Sequence, residues 1–193
     1  MEYYDDDIRL MLCFKNGEES CFEQLVERHK QRVFNIAYRY LGNINDAEDV
    51  AQETFVKIYR AKNSYKPQAK FTTWLYTICK NTCFNVLRQK EPTLISIDQP
   101  VDPEDDAVSP QIPDKAGLSP AEEALCHEQA AIVKAAIDTL PENQKMVVIL
   151  YRYDGLSYEE IAEIMDWSVQ AIKSLLHRAK LNLKEKLKDY LKE

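Results

Sequence analysis

Glycine is scarce, with four in 193 residues, and that scarcity argues against a chain built from strands and tight turns. Leu, Ala, Glu and Lys recur instead at helical spacings, so the expected fold class is all-α, with no sheet required. No stretch approaches the roughly 18 apolar residues of a membrane span. The N-terminus carries Asp5, Asp6 and Asp7 where a secretory signal needs a basic end and an apolar run. The expectation is a cytoplasmic protein with no direct membrane insertion. CxxC spacing is missing too: the five cysteines (Cys13, Cys21, Cys79, Cys83 and Cys126) are odd in number and fit reduced thiols better than a disulfide framework. Cys79 and Cys83 share a helix face at i, i+4, where small buried apolar residues explain them as well as a thiol switch does. There is no glycine-rich phosphate loop, nucleophile elbow or zinc-ligand spacing, and His29, His127 and His177 are scattered along the chain. No catalytic residue, metal or cofactor is therefore expected, and the chain is not read as an enzyme.

Overall charge is -7, the wrong sign for a nucleic-acid binder, but its distribution matters more than its sum. Residues 91–120 hold seven acids (Glu91, Asp98, Asp102, Glu104, Asp105, Asp106, Asp114) against one base, Lys115. Residues 54–90 hold eight bases (Lys57, Arg60, Lys62, Lys66, Lys70, Lys80, Arg88, Lys90) and no acid. The acidic segment also contains Pro92, Pro100, Pro103, Pro110 and Pro113, ends at Pro120, and lacks any apolar period. It reads as a flexible linker joining two small helical domains, 1–90 and 121–193.

In the first domain a short helix from about Ile8 ends near Gly17. Phe22, Leu25, Val26, His29, Val33, Ile36, Ala37 and Tyr40 trace the buried stripe of a second helix, which stops at Gly42. Asn45 or Asp46 is the expected cap of a third helix, with Ala47, Val50, Ala51, Thr54, Phe55 and Ile58 inside. A fourth runs from Phe71 to about Arg88. The second domain opens with a helix from Pro120 to about Thr139, and Pro141 starts another. Ser157 and Glu160 form a capping box before Ile161, Ala162 and Met165. The turn Asp166-Trp167-Ser168 then leads to a helix with Val169, Ile172, Leu176 and Ala179 inward and Gln170, Lys173, Ser174, His177 and Arg178 outward.

A helix, a three-residue turn and a second helix with a polar, basic outer face describe a helix-turn-helix reader of duplex DNA. There Lys173 and Arg178 suit phosphates or purine edges, and Ser174 and His177 suit bases. An ordinary solvated helix pair is the plainer alternative. In the fourth helix and the loop before it, Tyr65, Phe71, Trp74, Tyr76 and Phe84 interleave with Lys70, Lys80 and Arg88. Rings that stack on bases beside cations that meet phosphates are how single strands are held, although such a stripe also suits a core. Asn81 adds an amide able to read a base edge. The cluster Asp46, Glu48, Asp49, Gln52 and Glu53 has no ExxH partner, so it reads as a solvated or protein-docking face.

Three segments in this order resemble the extracytoplasmic-function sigma factors of the sigma-70 family. Asp46-Ala47-Glu48-Asp49-Val50-Ala51-Gln52-Glu53-Thr54-Phe55 looks like the polymerase-docking helix of the second sigma region. Phe71-Thr72-Thr73-Trp74-Leu75-Tyr76 with Asn81 and Arg88 resembles the promoter-melting helix. Gly155-Leu156-Ser157-Tyr158-Glu159-Glu160-Ile161-Ala162, then Val169, Lys173-Ser174 and His177-Arg178-Ala179, resembles the helix-turn-helix of the fourth region. The resemblance implies a factor that binds core RNA polymerase through Asp46, Glu48, Asp49, Gln52 and Glu53. It implies recognition of melted -10 DNA through Tyr65, Lys70, Trp74, Lys80, Asn81 and Arg88, with loop 62–70 capturing a flipped base. Duplex -35 DNA would meet Ser168, Gln170, Lys173, Ser174, His177 and Arg178. In this family an anti-sigma protein commonly holds the factor inactive. Asn85, Ser168, Gln170 and Leu175 depart from residues common in the family, and the resemblance does not predict the -35 sequence. The rival expectation is a free-standing helix-turn-helix regulator whose first domain senses or dimerises. Self-inhibition by the acidic linker folding onto residues 54–90 is a further expectation, from opposite charge alone.

Overall fold

A computed structural model describes residues 5–90, 120–188 and 190, and all regular structure among them is helical. The acidic segment read as a linker, Pro120 apart, lies outside the described residues. Eight α-helices follow in order: α1 Asp6–Lys15, α2 Glu19–Leu41, α3 Ile44–Arg60, α4 Phe71–Lys90, α5 Pro120–Asp138, α6 Glu142–Arg152, α7 Tyr158–Met165 and α8 Val169–Lys186. A 3-10 turn, Lys62–Ser64, interrupts the α3–α4 connection.

Local chemistry sets the boundaries. The Asp5 carboxylate accepts from the Asp7 amide, and Asp6 and Asp7 place negative charge in the first turn of α1, where free amides point outward. α2 stops because Gly42 adopts a φ of 78°, a left-handed conformation in which a side chain would be strained. The cap of α3 is Asn43, whose side chain accepts from the Asp46 amide at 3.0 Å, rather than Asn45 or Asp46. The helix thus starts two or three residues earlier than expected, because Ile44 and Asn45 are already helical. In α7 the capping box forms both ways: Ser157 Oγ accepts from the Glu160 amide at 3.2 Å, and the Ser157 amide donates to Glu160 Oε2 at 2.9 Å.

α1 to α4 enclose a core of Met11, Phe14, Leu25, Val33, Ile36, Tyr40, Ile58, Phe71, Leu75 and Tyr76. Inside its edge the Asp7 carboxylate meets His29 Nε2 at 2.7 Å and Arg28 at 3.0 Å, which ties α1 to α2. Cys13 and Cys21 are joined as a disulfide across the α1–α2 corner, which corrects the expectation of reduced thiols throughout. The turn at Asn16–Glu18 brings their Cα atoms to 6.1 Å, a proximity that an eight-residue separation does not announce. Cys79 and Cys83 are buried and free, and the hydrogen bond between them, then burial, pushes the Cys83 thiol well up. A thiol held in the protonated form is a poor nucleophile.

Met146, Val147, Ile149, Leu150, Ile161, Ile164 and Ile172 fill the space among α6, α7 and α8, and they continue the core of α1 to α4 without a break. α4 lies against α7, and α2 against α6. At the rim of this junction the Arg32 guanidinium sits 3.7 Å from Asp154, and Arg39 lies 4.5 Å from the centre of the Tyr153 ring. Burial pushes the Asp154 carboxyl up to about 6, against the pull of Arg32 and Arg39.

Candidate nucleic-acid interface

The loop after α3 and the first half of α4 frame an open cleft of about 700 Å³. Its walls include Tyr65, Lys66 and Gln68 from the loop and Thr73, Trp74, Thr77, Ile78 and Asn81 from α4. Residues 73, 77 and 81 repeat at i, i+4, i+8, so two hydroxyls and an amide stand in one row along the cleft. That row was visible in the sequence but was obscured by the aromatic residues beside it. Tyr65 and Trp74 pack with ring centres 4.9 Å apart, and Trp74 keeps an accessible edge while Tyr65 is buried. Burial also pushes the Tyr65 phenol up to about 12. Lys57, at the base, donates to Thr82 at 3.0 Å and pairs with Glu53 at 2.8 Å. Of the other aromatic residues in the sequence pattern, Phe71 and Tyr76 belong to the core and Phe84 packs against Tyr40.

The two lysines at the centre of the expected -10 surface are engaged. Lys70 Nζ lies 2.6 Å from Glu160 Oε1, a contact that raises the lysine's pKa and lowers that of the glutamate. Lys80 is buried, donates to the Ile164 carbonyl at 2.8 Å, and has its pKa lowered by loss of solvent. Thr73 Oγ1 donates to Glu163 Oε2 at 3.4 Å. Asn81 and Arg88 are exposed. Sequence reasoning missed Glu160, Glu163 and Ile164 as partners of α4, because contacts between residues about 90 apart leave no local pattern.

On α3, Glu48, Asp49, Gln52 and Glu53 are exposed, and Asp46 pairs with Lys90 at the end of α4. On α8, Ser168 caps the helix by accepting from the Ala171 amide at 3.2 Å, and Gln170, Lys173, Ser174, His177 and Arg178 stand exposed along one side. Asp166 turns the chain between α7 and α8 with a left-handed φ of 58°. Lys173 lies over the Tyr158 ring at 5.7 Å, and Tyr158 stacks on Tyr151 at 5.3 Å. No group of three or more His, Cys, Asp or Glu that could hold a metal ion occurs among the described residues. Nor is any helix of the described residues long and apolar enough to cross a membrane.

Comparison with known proteins gives matches over most of the chain. The family described as Sigma-70 region 2 matches residues 25–93, and Sigma-70, region 4 matches residues 130–183. The ECF RNA polymerase sigma factor SigW of Bacillus subtilis (strain 168) is 31% identical over 175 residues, covering 91% of this chain and 93% of the relative. The ECF RNA polymerase sigma-E factor of Escherichia coli (strain K12) is 33% identical over 183 residues, 92% of each chain. Among solved structures, CnrH in complex with the cytosolic domain of CnrY has the same fold, with a TM-score of 0.70 at 23% identity over 96% of this chain and 99% of that one. The sigma factor RpoE of Bartonella quintana, solved with the anti-sigma factor NepR, aligns with a TM-score of 0.63 at 23% identity over 86% and 96%.

Proposed function

The chain belongs to the extracytoplasmic-function sigma factors of the sigma-70 family, and from that premise we propose which of its parts perform which step. As a sigma factor it binds core RNA polymerase and directs promoter-specific initiation, catalysing no reaction itself. A free-standing regulator does not account for the match to sigma region 2.

Residues 1–90 dock on polymerase and read and melt the -10 element, residues 121–193 read the -35 element, and residues 91–120 tether the two. The cleft between the loop and α4 carries this reading. A flipped base fits a concavity edged by the Trp74 ring and offered hydrogen bonds by Thr77 and Asn81, with Lys66 placed for the adjoining phosphate. Arg88 extends the basic track along α4, while Lys70 and Lys80 join it once freed from α7. The exposed acids of α3 meet a basic surface of the polymerase. Lys173, Ser174, His177 and Arg178 enter the major groove from α8, with Ser168 and Gln170 at its leading end. The protein works in the cytoplasm, and an anti-sigma protein restrains it.

Run-off transcription with purified core polymerase and fragmented genomic DNA tests the whole assignment, and specific starts that depend on the added protein are expected. Within it, Asn81→Ala should spare polymerase binding but reduce opening, read as lost permanganate reactivity of promoter thymines. Undiminished reactivity would remove Asn81 from the melting site.

A further inference from the structure

The corner where α1 turns into α2 is tied to the loop that frames the cleft, and the ties begin beside its two bonded sulfurs. Phe14 and Phe22, each the residue after a cysteine, stack with ring centres 4.7 Å apart. Both rings reach Tyr59 at the end of α3, at 5.2 and 5.4 Å. Lys62, where the 3-10 turn begins, lies 4.6 Å from the centre of the Phe14 ring and 3.4 Å from Glu19, and Glu19 also accepts from the Tyr59 hydroxyl at 3.1 Å. Lys15 Nζ donates to the Tyr65 carbonyl at 2.9 Å. Tyr65 is in turn the ring on which Trp74 packs. A chain of contacts thus runs from the sulfurs to the edge of the cleft. Residues 66–69 beyond it are exposed and outside any helix, so their position depends on what holds residues 62–65.

Two features distinguish this bond from a fixed staple. Cys13 is half-buried and open to a small reagent, whereas Cys21, at 8% exposed, is shielded from solvent but stands beside its partner. One accessible cysteine next to a resolving one is the layout of a redox-sensing pair. The second feature is the setting. A factor that acts on RNA polymerase in the cytoplasm, as assigned above, meets a thiol pool that reduces disulfides, and bonds formed there are ordinarily transient.

We propose that Cys13 and Cys21 are a reversible redox site that exchanges with a low-molecular-weight disulfide, and that closing the bond fixes the loop of the -10 cleft and favours promoter opening. In the closing step the Cys13 thiolate attacks one sulfur of the small disulfide, whose S–S bond breaks, and the departing thiolate takes up the proton that Cys13 has lost. The Cys21 thiolate then attacks Cys13 Sγ of the mixed disulfide. The protein S–S bond forms, and the second small thiolate leaves with the proton from Cys21. Two electrons pass from the protein to the small disulfide, which ends as two thiols. The link to opening rests on the assignment of the cleft given above, while the exchange itself does not.

The test equilibrates the full chain in buffers of reduced and oxidised glutathione, then uses alkylation and peptide mass spectrometry to follow Cys13 and Cys21 apart from the other cysteines. The pair should pass from bonded to reduced as the glutathione ratio changes, with helical circular dichroism constant. A pair that stays bonded, or stays reduced, at every ratio would overturn the proposal. Both forms are then freed of glutathione. In the free chain, hydrogen exchange over residues 61–70 should quicken by about threefold or more on reduction. With saturating core polymerase, permanganate reactivity of promoter thymines should be about threefold lower for the reduced form, because the loop arrangement competent to hold a flipped base is then the minor one. Cys13→Ser combined with Cys21→Ser should match the reduced wild type at every ratio. Lys15→Met should leave the glutathione titration unchanged but remove most of the difference in opening, since it cuts the tie between the corner and Tyr65. Equal opening by both forms of the wild type overturns the proposal, and the Asn81→Ala result then tells which part failed: a melting defect there leaves the assignment of the cleft standing, and normal melting removes it.

Discussion

Asp154 shows how one side chain couples the junction to pH. Its carboxyl is pushed from an ordinary 3.8 to about 6, chiefly by burial, and Oδ2 has no hydrogen-bond partner in the protein. Below about pH 3 the group is largely neutral whether the chain is folded or not. As pH rises from about 3 to 6 the unfolded chain ionises first, and the folded chain loses stability, by an amount on the order of 3 kcal/mol at neutral pH. Asp154→Asn should therefore raise the midpoint of urea unfolding at pH 7.5, have little effect at pH 3, and flatten the dependence between. Equal shifts at both pH values would mean that the charge is not what costs stability. Single residues on α8 act in the opposite environment, in full solvent, where their value is realised only on DNA. Lys173→Ala and Arg178→Ala should each weaken binding of holoenzyme to duplex promoter DNA and reduce the salt slope by about one where the side chain meets a phosphate. A slope that stays unchanged for either variant would assign that residue to a base edge or to no contact.

Helices in this chain are specified at their ends as much as along their faces. The Ser157–Glu160 capping box occupies the start of an eight-residue helix, too short to hold itself without tertiary packing. Ser157→Ala should cost about 1 kcal/mol in chemical denaturation, and Glu160→Gln much less, because the amide retains the acceptor. This box, the stripe of α2 and the turn at Asp166-Trp167-Ser168 were all legible in the sequence, since each is written in residues within a few positions of one another. The cap of α3 was misplaced by two or three residues because Asn43, Asn45 and Asp46 all have capping side chains, and only backbone geometry chooses among them. The Cys13–Cys21 bond and the engagement of Lys70 and Lys80 were not legible. The first depends on the angle of the α1–α2 corner, and the second on an approach of α4 to α7 that neither helix encodes alone. The basic, aromatic character of α4 pointed to a nucleic-acid surface, but periodicity could not separate the rings that reach the cleft from Phe71 and Tyr76, which fill the core.

At the scale of the whole molecule, two facts about connection pull in different directions. The hydrophobic cluster runs from α1–α4 into α6–α8 without interruption, so in the free chain the two halves are joined by packing as well as by residues 91–119. In the assignment proposed above the two DNA-reading surfaces occupy separate promoter elements, and the covalent tether raises the local concentration of the half that carries α8 near the unit bound to polymerase. A single protease cut introduced between positions 91 and 119 should then have a conditional effect. Without polymerase, the two fragments should elute together as one particle of unchanged mass, held by the common core. With polymerase and promoter DNA, initiation should fall by about tenfold or more, because the half that carries α8 then reaches its element without a covalent link to the other half, as a bimolecular event. Raising the concentration of that fragment should restore initiation in a saturable way. If the cut fragments separate in the absence of polymerase, packing across the junction is too weak to hold the free chain closed; if initiation survives the cut at low concentration, the halves remain associated through the polymerase or DNA and the tether is dispensable.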